Sequence, residues 1–505
     1  MSESHTIIQS LKTNGLDDIN TIPLSLRRHI SPQLQVLFDT PWFQTAREYF
    51  TRPPQINITS VDTKEVELLN IIAELLDYIA GLGDSPSTTT IGPSIGSPKE
   101  FQKIRGILEK INPKKITRTQ RRALRKYIEI SPLGREILKG FYAKVVADGK
   151  IAPDMELIFN PYTSLVNLAE IYAQCTEYSR VRYSVPELGL RDAEIHLYYP
   201  ASKRDEYLPP MSKWLPDALT RICFFNRLLG TKKQPRAIHV FLADFRKEFM
   251  HVSGKTDIVF TPSEINTGVC DMTDIVITRS EESLKTLLHE LIHFHSLDFK
   301  HAAHDEFCAG LFNITTEQSS FNLFEAHTEC LASILHCLTR TVTSEPKFQQ
   351  KFKQVFIAQI YYTMRKAAQI LATSGCDSYA EFITPTDSAK CQLRENTNVF
   401  SYFFVKSFIY LGLREWLLRC CDQRTARFLD TVDTGLLAQS LGTDITPGQS
   451  GGQQTLKTII QTGHKNRILQ KIIDTEIGLA RQTNKHRTQT SNSLKMVCVT
   501  VDTLL

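Results

Sequence analysis

The sequence predicts an α+β protein in which short strands come first and helices follow. Four segments rich in Ile, Val, Phe and Tyr have the composition and length of strands: Glu194–Tyr199, Ala237–Leu242, Asp257–Thr261 and Asp274–Thr278. After Ser280 the apolar spacing becomes helical and remains so to about residue 440. Because strands and helices are segregated rather than alternating, this order favours an α+β domain over a doubly wound α/β domain.

The bulk composition is that of a globular protein with more than one domain. The chain has 505 residues, of which 42% are hydrophobic and 22% charged. The net charge of +5 is small for this length and argues against a dedicated nucleic-acid-binding protein. No run of about 18 apolar residues occurs, so we expect no transmembrane helix and no membrane partner.

The cysteines and the N-terminus indicate where the protein resides. The eleven cysteines are scattered and form no CxxC pair, which predicts reduced thiols rather than a disulfide framework. The first residues lack the basic and apolar regions of a secretory signal. We therefore expect a soluble, intracellular protein.

Composition shifts divide the chain into five predicted regions. Residues 1–84 form a helical N-terminal region with an apolar helix at Val66–Leu82, and residues 85–99 form a linker or exposed loop rich in Pro, Gly, Ser and Thr. Residues 100–190 form a basic helical region, and residues 191–440 form the α+β domain. Residues 441–505 form a Gly- and Gln-rich loop at Thr446–Gln454, a helix near Leu456–Ala480 and a polar tail.

The basic segment Lys114–Lys126 is a candidate for weak contact with nucleic acid. Its basic residues could share one helix face: Arg118, Arg121, Arg122, Arg125 and Lys126. Aromatic residues are sparse in the segment and the overall charge is low. A solvated helix face is therefore the favoured interpretation.

The segment Ser280–Phe299, which reads SEESLKTLLHELIHFHSLDF, predicts a buried helix. Ser280 is the expected N-cap, with Glu281 and Glu282 in the first turn, where acids complement the helix dipole. Into its apolar surface the sequence places an HExxH motif. Polar side chains in such a surface need partners, which indicates a purpose for them.

The HExxH motif has the spacing of a zinc site. Residues four apart lie on one helix face, so His289 and His293 can reach the same metal ion. Glu290 lies on the flank of that face, where its carboxylate can contact a water on the metal. Zinc accepts neutral imidazole nitrogen and keeps an open position, where the pKa of water falls to roughly 7. The alternative is a buried histidine pair with structural hydrogen bonds.

A third metal ligand is expected from a second helix. The metzincin pattern requires glycine at position 296 and histidine at position 299, and the sequence has neither. The helix Phe321–Leu338 instead carries Glu325 and Glu329, four residues apart on an apolar background. We predict that Glu325 binds the metal and Glu329 hydrogen-bonds a ligand imidazole; the reverse assignment also fits. His327 falls on another face and is expected to be structural.

Several polar residues follow the HExxH helix: His295, Asp298, His301, His304, Asp305 and Glu306. A polar loop closing the site, or a solvated turn, is the favoured interpretation. Asp298 is the most plausible alternative ligand among them.

The HExxH helix, the downstream helix with Glu-x-x-x-Glu and the preceding β-hairpin resemble the gluzincin, or thermolysin-like, metallopeptidases. Three segments are similar to uncharacterised HExxH proteins of large nucleocytoplasmic DNA viruses: DIVITRSEESLKTLLHELIHFHSLDF, NLFEAHTECLA and ENTNVFSYFFVKS. The likeness covers roughly residues 235–410. The 31 residues between His293 and Glu325 are a longer interval than many gluzincins have.

The resemblance implies a zincin-like domain, with a twisted mixed sheet and the active-site helix in an upper lobe and a mostly helical lower lobe. It implies an edge strand, at about Glu264–Val269, that binds substrate backbone. It also implies a lower-lobe donor to the developing oxyanion. Tyr402, with Asn398 and Lys406 four residues to either side, is the candidate. The alternative is that Tyr402 is a core aromatic.

These observations predict a zinc peptidase that hydrolyses protein or peptide substrates, with Glu290 as general base and then proton donor to the leaving amine. If the protein is viral, we expect it in the host cytoplasm or the virion. The competing hypothesis is a catalytically silent structural or virion protein on a zincin scaffold. Against it stands Glu290, which a non-catalytic metal site does not need.

Overall fold

The computed structural model describes residues 22–64, 117–124, 163–247, 258–298, 305–316, 321–342, 347–384, 391–418 and 450–483, and the single positions 103, 106, 107, 110, 128 and 496. Within these residues the protein is a mixed α+β structure, as predicted. The predicted helix Val66–Leu82 and the predicted linker at residues 85–99 lie outside them.

The strands of the described residues form two sheets. They are β1 (Asn57–Lys64), β2 (Glu177–Val185), β3 (Leu190–Tyr199), β4 (Ala237–Phe241), β5 (Val259–Phe260), β6 (Gly268–Cys270), β7 (Asp274–Ile277), β8 (Ile314–Thr316) and β9 (Leu393–Glu395). The larger sheet has the order β1-β2-β3-β4-β7-β6, and the smaller has the order β5-β9-β8. The larger sheet is mixed, because β3, β4 and β7 pair in parallel while its other pairs are antiparallel.

Helices surround and follow the sheets. They are α1 (Leu24–Asp39), α2 (Pro41–Thr51), α3 (Arg118–Leu124), α4 (Leu165–Gln174), α5 (Arg204–Tyr207), α6 (Trp214–Leu229), α7 (Pro262–Ile265), α8 (Ser283–Phe294), α9 (Asp305–Ala309), α10 (Phe324–Thr341), α11 (Phe348–Thr373), α12 (Tyr379–Phe382), α13 (Lys406–Leu411), α14 (Leu413–Trp416), α15 (Ser450–Gly463) and α16 (Arg467–Thr483). A π-helix, Phe400–Val405, leads into α13. None of these helices combines the length and the apolar content needed to cross a bilayer.

The larger sheet extends across the predicted boundary at residue 190. β1 lies in the predicted helical N-terminal region and β2 lies in the predicted basic helical region, yet both belong to this sheet. β2 and β3 form an antiparallel pair in which Val181 lies opposite Ile195. Alternate residues of β2 are buried, as expected for a strand with one face on the core. The sheet therefore does not begin at residue 191.

Helix α8 lies at the centre of the domain. It packs against β6 and β7 on one side and against α6 and α10 on the other. Its leucines at positions 284, 287, 288 and 291 are all at most 1% exposed, which explains why the helix is buried here. The sheet edge and α10 are thereby brought to the same helix.

The predicted edge strand Glu264–Val269 is displaced along the chain. Pro262–Ile265 forms the helical turn α7, because Pro at its first position and a Thr261–Glu264 capping box favour a helix start. The edge strand is β6, Gly268–Cys270, which pairs antiparallel with β7.

The predicted strand Asp257–Thr261 contributes only β5, and β5 belongs to the smaller sheet. It pairs in parallel with β9, and the Asn396 backbone N–H donates to the Phe260 carbonyl at 2.9 Å. The Thr397 hydroxyl donates to Asn266 Oδ1 at 2.8 Å. These contacts tie the segment before β6 to the segment before the π-helix.

Two further expectations are wrong. The C-terminal region holds two helices, α15 and α16, and α15 begins inside the predicted Gly- and Gln-rich loop. Cys376 and Cys391 form a disulfide, because the turn after α11 lies beside the start of β9 and brings their Cα atoms to 4.4 Å. The expectation of reduced thiols therefore fails for this pair.

Candidate metal centre

Helix α8 begins later than its sequence predicts. Its first residue is Ser283, and Glu282 is the N-cap with a left-handed φ of 61°. Glu281 and Glu282 are engaged elsewhere: Glu281 Oε2 accepts from the Lys247 backbone N–H at 2.6 Å, and Glu282 Oε2 accepts from Lys247 Nζ at 2.9 Å. These acids therefore bind the segment before the helix, and Ser280 is not the N-cap.

Three side chains from two helices converge on one point. His289 Nε2 lies 3.1 Å from His293 Nε2 and 3.1 Å from Glu325 Oε2. The distance from His293 Nε2 to Glu325 Oε2 is 3.6 Å. Nitrogen and oxygen donors this close could hold a metal ion together, and the three form such a group. The acid in this converging group is thus Glu325, and not Glu329.

A carboxylate holds the outer nitrogen of each histidine. His289 Nδ1 lies 3.1 Å from Glu329 Oε2, and His293 Nδ1 lies 2.9 Å from Asp298 Oδ2. A neutral imidazole that donates from Nδ1 presents the lone pair of Nε2 as an acceptor. Both Nε2 atoms are therefore oriented for a metal, as ligand histidines usually are by such partners.

Glu329 is fixed in place by cations as well as by His289. Lys285 Nζ donates to Glu329 Oε2, and Lys406 Nζ donates to Oε1 at 3.0 Å. All three side chains are at most 2% exposed. Although burial acts to raise the pKa of Glu329, the two lysines hold it well below the usual range. Glu329 is therefore a carboxylate that three hydrogen-bond partners hold beside His289.

The charges of the group favour a bound cation. Burial acts to lower the pKa of both histidines, but the carboxylates outweigh it. The pKa of His289 is raised above 6.5, and that of His293 is raised well above 6.5 by Glu325 and Asp298. The pKa of Glu325 is lowered, because both histidines outweigh its burial. In the metal-free protein the carboxylates of Glu325, Glu329 and Asp298 therefore favour protonation of the two histidine rings, at the place where a metal would lie.

Glu290 faces the edge strand beside the three candidate ligands. It is 4% exposed, and burial raises its pKa, which the neighbouring histidines partly offset. A Cβ atom at Gly268 of β6 would lie 2.5 Å from Glu290 Oε1 and 2.6 Å from Thr286 Cγ2. Only glycine therefore allows β6 to approach Glu290 this closely.

Tyr402 also reaches the group. Its hydroxyl donates to Glu325 Oε2 at 3.0 Å, and burial raises its pKa well above 10, so the hydroxyl keeps its proton. The Tyr402 backbone N–H donates to the Asn398 carbonyl at 2.9 Å. Lys406, the other neighbour named from the sequence, contacts Glu329 instead. Tyr402 is thus both buried and at the site.

Other candidates lie elsewhere. His327 is structural, as expected: Trp416 Nε1 donates to its Nδ1 at 3.1 Å, and its Nε2 lies 3.3 Å from the Leu297 carbonyl. His295 stacks on Phe225, and burial lowers its pKa to about 4. His301 and His304 lie outside the described residues. Glu306 is exposed on α9.

Only part of the basic segment Lys114–Lys126 lies within the described residues. It forms α3, where Arg121 pairs with Glu170 at 2.6 Å and Arg122 is exposed. The side chain of Arg121 is therefore engaged within the protein. Nucleic-acid contact through the segment stays a prediction.

Sequence reasoning missed the roles that three residues have in the site. Asp298 was considered as a ligand, but it contacts the outer nitrogen of His293, a candidate ligand. Lys285 lies four residues before His289, and a lysine among buried leucines was the available signal of a buried acidic partner. Gly268 gave no signal beyond being a glycine in a strand, which often marks a close approach.

Comparisons with known proteins identify no similar protein for this chain. No protein-family model matches the chain, and comparisons with curated proteins and with solved structures also give no match.

Proposed function

We propose that this protein is a zinc-dependent peptidase with a zincin-like catalytic domain. The observation that carries the proposal is the convergence of His289, His293 and Glu325, with Glu290 beside them. Two imidazoles and one carboxylate are a common ligand set of catalytic zinc, which keeps a fourth position open.

The spacing of the donor atoms supports zinc. Tetrahedral bonds of roughly 2.0–2.1 Å place ligand atoms about 3.3 Å apart. The three separations here are 3.1, 3.1 and 3.6 Å. The carboxylates behind both histidines also match a metal site, since they favour the tautomer that offers Nε2.

The surrounding residues support hydrolysis of a peptide. Zinc bound here would polarise a carbonyl and bring the pKa of a water to roughly 7. Glu290 would accept a proton from that water and pass it to the leaving amine. The Tyr402 hydroxyl would donate to the oxyanion that develops on the carbonyl.

The substrate class follows from the edge strand. Within the described residues β6 is an edge strand of the larger sheet, and it lies half-buried against α8. An extended peptide could add to its open edge by main-chain hydrogen bonds. Gly268 would set the reacting bond close to Glu290, because β6 contacts that side chain there.

The test compares wild type with Glu290→Gln. Both proteins are loaded with zinc, their metal content is measured, and hydrolysis of a library of fluorescence-quenched peptides is followed. We expect one equivalent of zinc in both proteins and a loss of at least about 100-fold in rate for the variant. Zinc without turnover in wild type would favour the silent scaffold, and absence of zinc would refute the metal site.

A further inference from the structure

Residue Met496 lies behind the candidate metal centre, far along the chain from the residues it contacts. It is 5% exposed. Its backbone N–H donates to Glu282 Oε1 at 2.7 Å, and its carbonyl accepts from Gln359 Nε2 at 2.7 Å. One residue thus joins the N-cap of α8 to α11.

Met496 also contacts both lysines that hold Glu329. Lys406 Nζ donates to the Met496 carbonyl at 3.3 Å, and Lys285 Nζ lies 3.4 Å from its Sδ. Lys285 and Lys406 are at most 2% exposed, so protein acceptors, those of Met496 among them, rather than bulk water satisfy their ammonium groups.

These contacts link Met496 to the metal centre through a series of side chains, each of which positions the next. Met496 contacts the two lysines, the lysines fix Glu329, and Glu329 fixes the ring of His289. The partners around Met496 are complementary to a peptide backbone. Glu282 accepts a hydrogen bond from its N–H, and its carbonyl accepts from one ammonium group, that of Lys406, and one amide, that of Gln359.

We propose that Glu282, Lys285, Gln359 and Lys406 form a docking site for residue 496 of this chain, and that the metal centre binds zinc tightly only when residue 496 is docked there. Met496 is a positioning residue, acting through Glu329. The inference rests on the proposed zinc site. The two equilibria are linked: if docking of residue 496 raises the affinity for zinc by some factor, zinc must raise the equilibrium constant of docking by the same factor.

The first experiment uses oxidation of methionine in the full-length wild type. The protein is treated with hydrogen peroxide in zinc or in EDTA, and sulfoxide formation is followed by peptide mass spectrometry. We expect zinc to slow oxidation of Met496 several-fold. Met211, which is 70% exposed, is the internal control and should oxidise at one rate in both conditions. Equal rates for Met496 with and without zinc, in protein that binds zinc, would overturn the proposal.

The second experiment measures zinc affinity by competition with a chromophoric chelator. Met496→Pro removes the N–H that Glu282 accepts, whereas Met496→Leu keeps both backbone contacts. We expect about tenfold weaker zinc binding in the proline variant, as for other losses behind a ligand histidine, and a small change with leucine. A folded proline variant with wild-type affinity would refute docking. Wild type without zinc affinity would instead refute the proposed function.

Discussion

The Nε2 atoms of His289 and His293 lie 3.1 Å apart, and a carboxylate holds Nδ1 of each ring. Two lone pairs cannot face each other at this distance without a cation between them. Glu325 Oε2, 3.1 Å from His289 Nε2, adds negative charge at the same point. A proton or a metal ion must therefore be shared there, and the two compete.

Zinc binding should release protons and strengthen as pH rises. The pKa of His293 is raised well above 6.5, so its ring is protonated at pH 6.5 in the metal-free protein. Zinc requires the neutral ring, and the proton must leave. Calorimetric titrations at pH 6.5 in two buffers of different ionisation enthalpy should give different apparent enthalpies. Identical enthalpies would show that no proton is displaced.

Asp298→Asn should weaken zinc binding by about 10- to 100-fold, because the amide no longer accepts strongly from His293 Nδ1 or fixes its tautomer. Competition with a chelator measures the loss. Asp244→Asn is the matched control, since its side chain is 63% exposed and pairs with Lys203 at the surface. Equal affinities in the two variants would remove Asp298 from the metal centre.

Gly268→Ala should impair hydrolysis while leaving zinc in place. The new Cβ would lie 2.5 Å from Glu290 Oε1, so either Glu290 or β6 must shift. A displacement of about 1 Å at a catalytic group can cost roughly 100-fold in rate. Zinc content and kcat are measured together. Gly478→Ala is the control, because its Cβ would meet no atom within 4 Å. An unchanged kcat in Gly268→Ala would contradict the placement of Glu290.

Tyr402→Phe should lower kcat by about 100- to 1000-fold with little change in KM, because its hydroxyl is proposed to bind charge that develops only during reaction. Tyr361→Phe provides the control: it also removes a hydroxyl that donates to a glutamate, Glu476 at 2.6 Å, but between α11 and α16. Steady-state kinetics on one peptide compares them. A kcat within twofold of wild type would make Tyr402 a core aromatic.

The parts of the site that lie on single helices were predictable from sequence. The four-residue spacing of His289 and His293 fixes their common face. The same spacing puts Glu325 and Glu329 on one face of α10, where Glu325 contacts His289 Nε2 and Glu329 contacts Nδ1 of the same ring. Helical periodicity is a local property, so each pair could be placed on one helix face without the fold, whereas the choice between Glu325 and Glu329 depends on how α10 packs on α8.

The remaining parts depend on where the chain turns. Asp298 reaches His293 because the chain reverses at Ser296, which has a φ of 54°, just after α8. Lys406 reaches Glu329 across 77 residues of sequence. β1 joins the sheet through tertiary pairing with β2, which its own composition does not reveal. Propensity and spacing contain none of this information.

Glu395 makes stability depend on pH at the start of the π-helix that carries Tyr402. Its carboxylate accepts from the Phe400 backbone N–H at 2.9 Å, yet burial raises its pKa from 4.5 to about 8. An acid with a raised folded-state pKa contributes stability below pH 4.5 that is lost as pH rises through about 8. Glu395→Gln keeps an acceptor oxygen without the charge.

We therefore expect wild type to lose unfolding free energy relative to Glu395→Gln between pH 5 and pH 9, on the order of 1.4 kcal/mol per pH unit at most. Urea denaturation of both proteins at the two pH values gives the change in unfolding free energy with pH for each. Subtracting the variant's change from that of wild type cancels the contribution of all other titrating groups. Parallel pH profiles for the two proteins would mean that Glu395 ionises at the same pH in the folded and unfolded chains, and that its hydrogen bonds to the helix offset its burial.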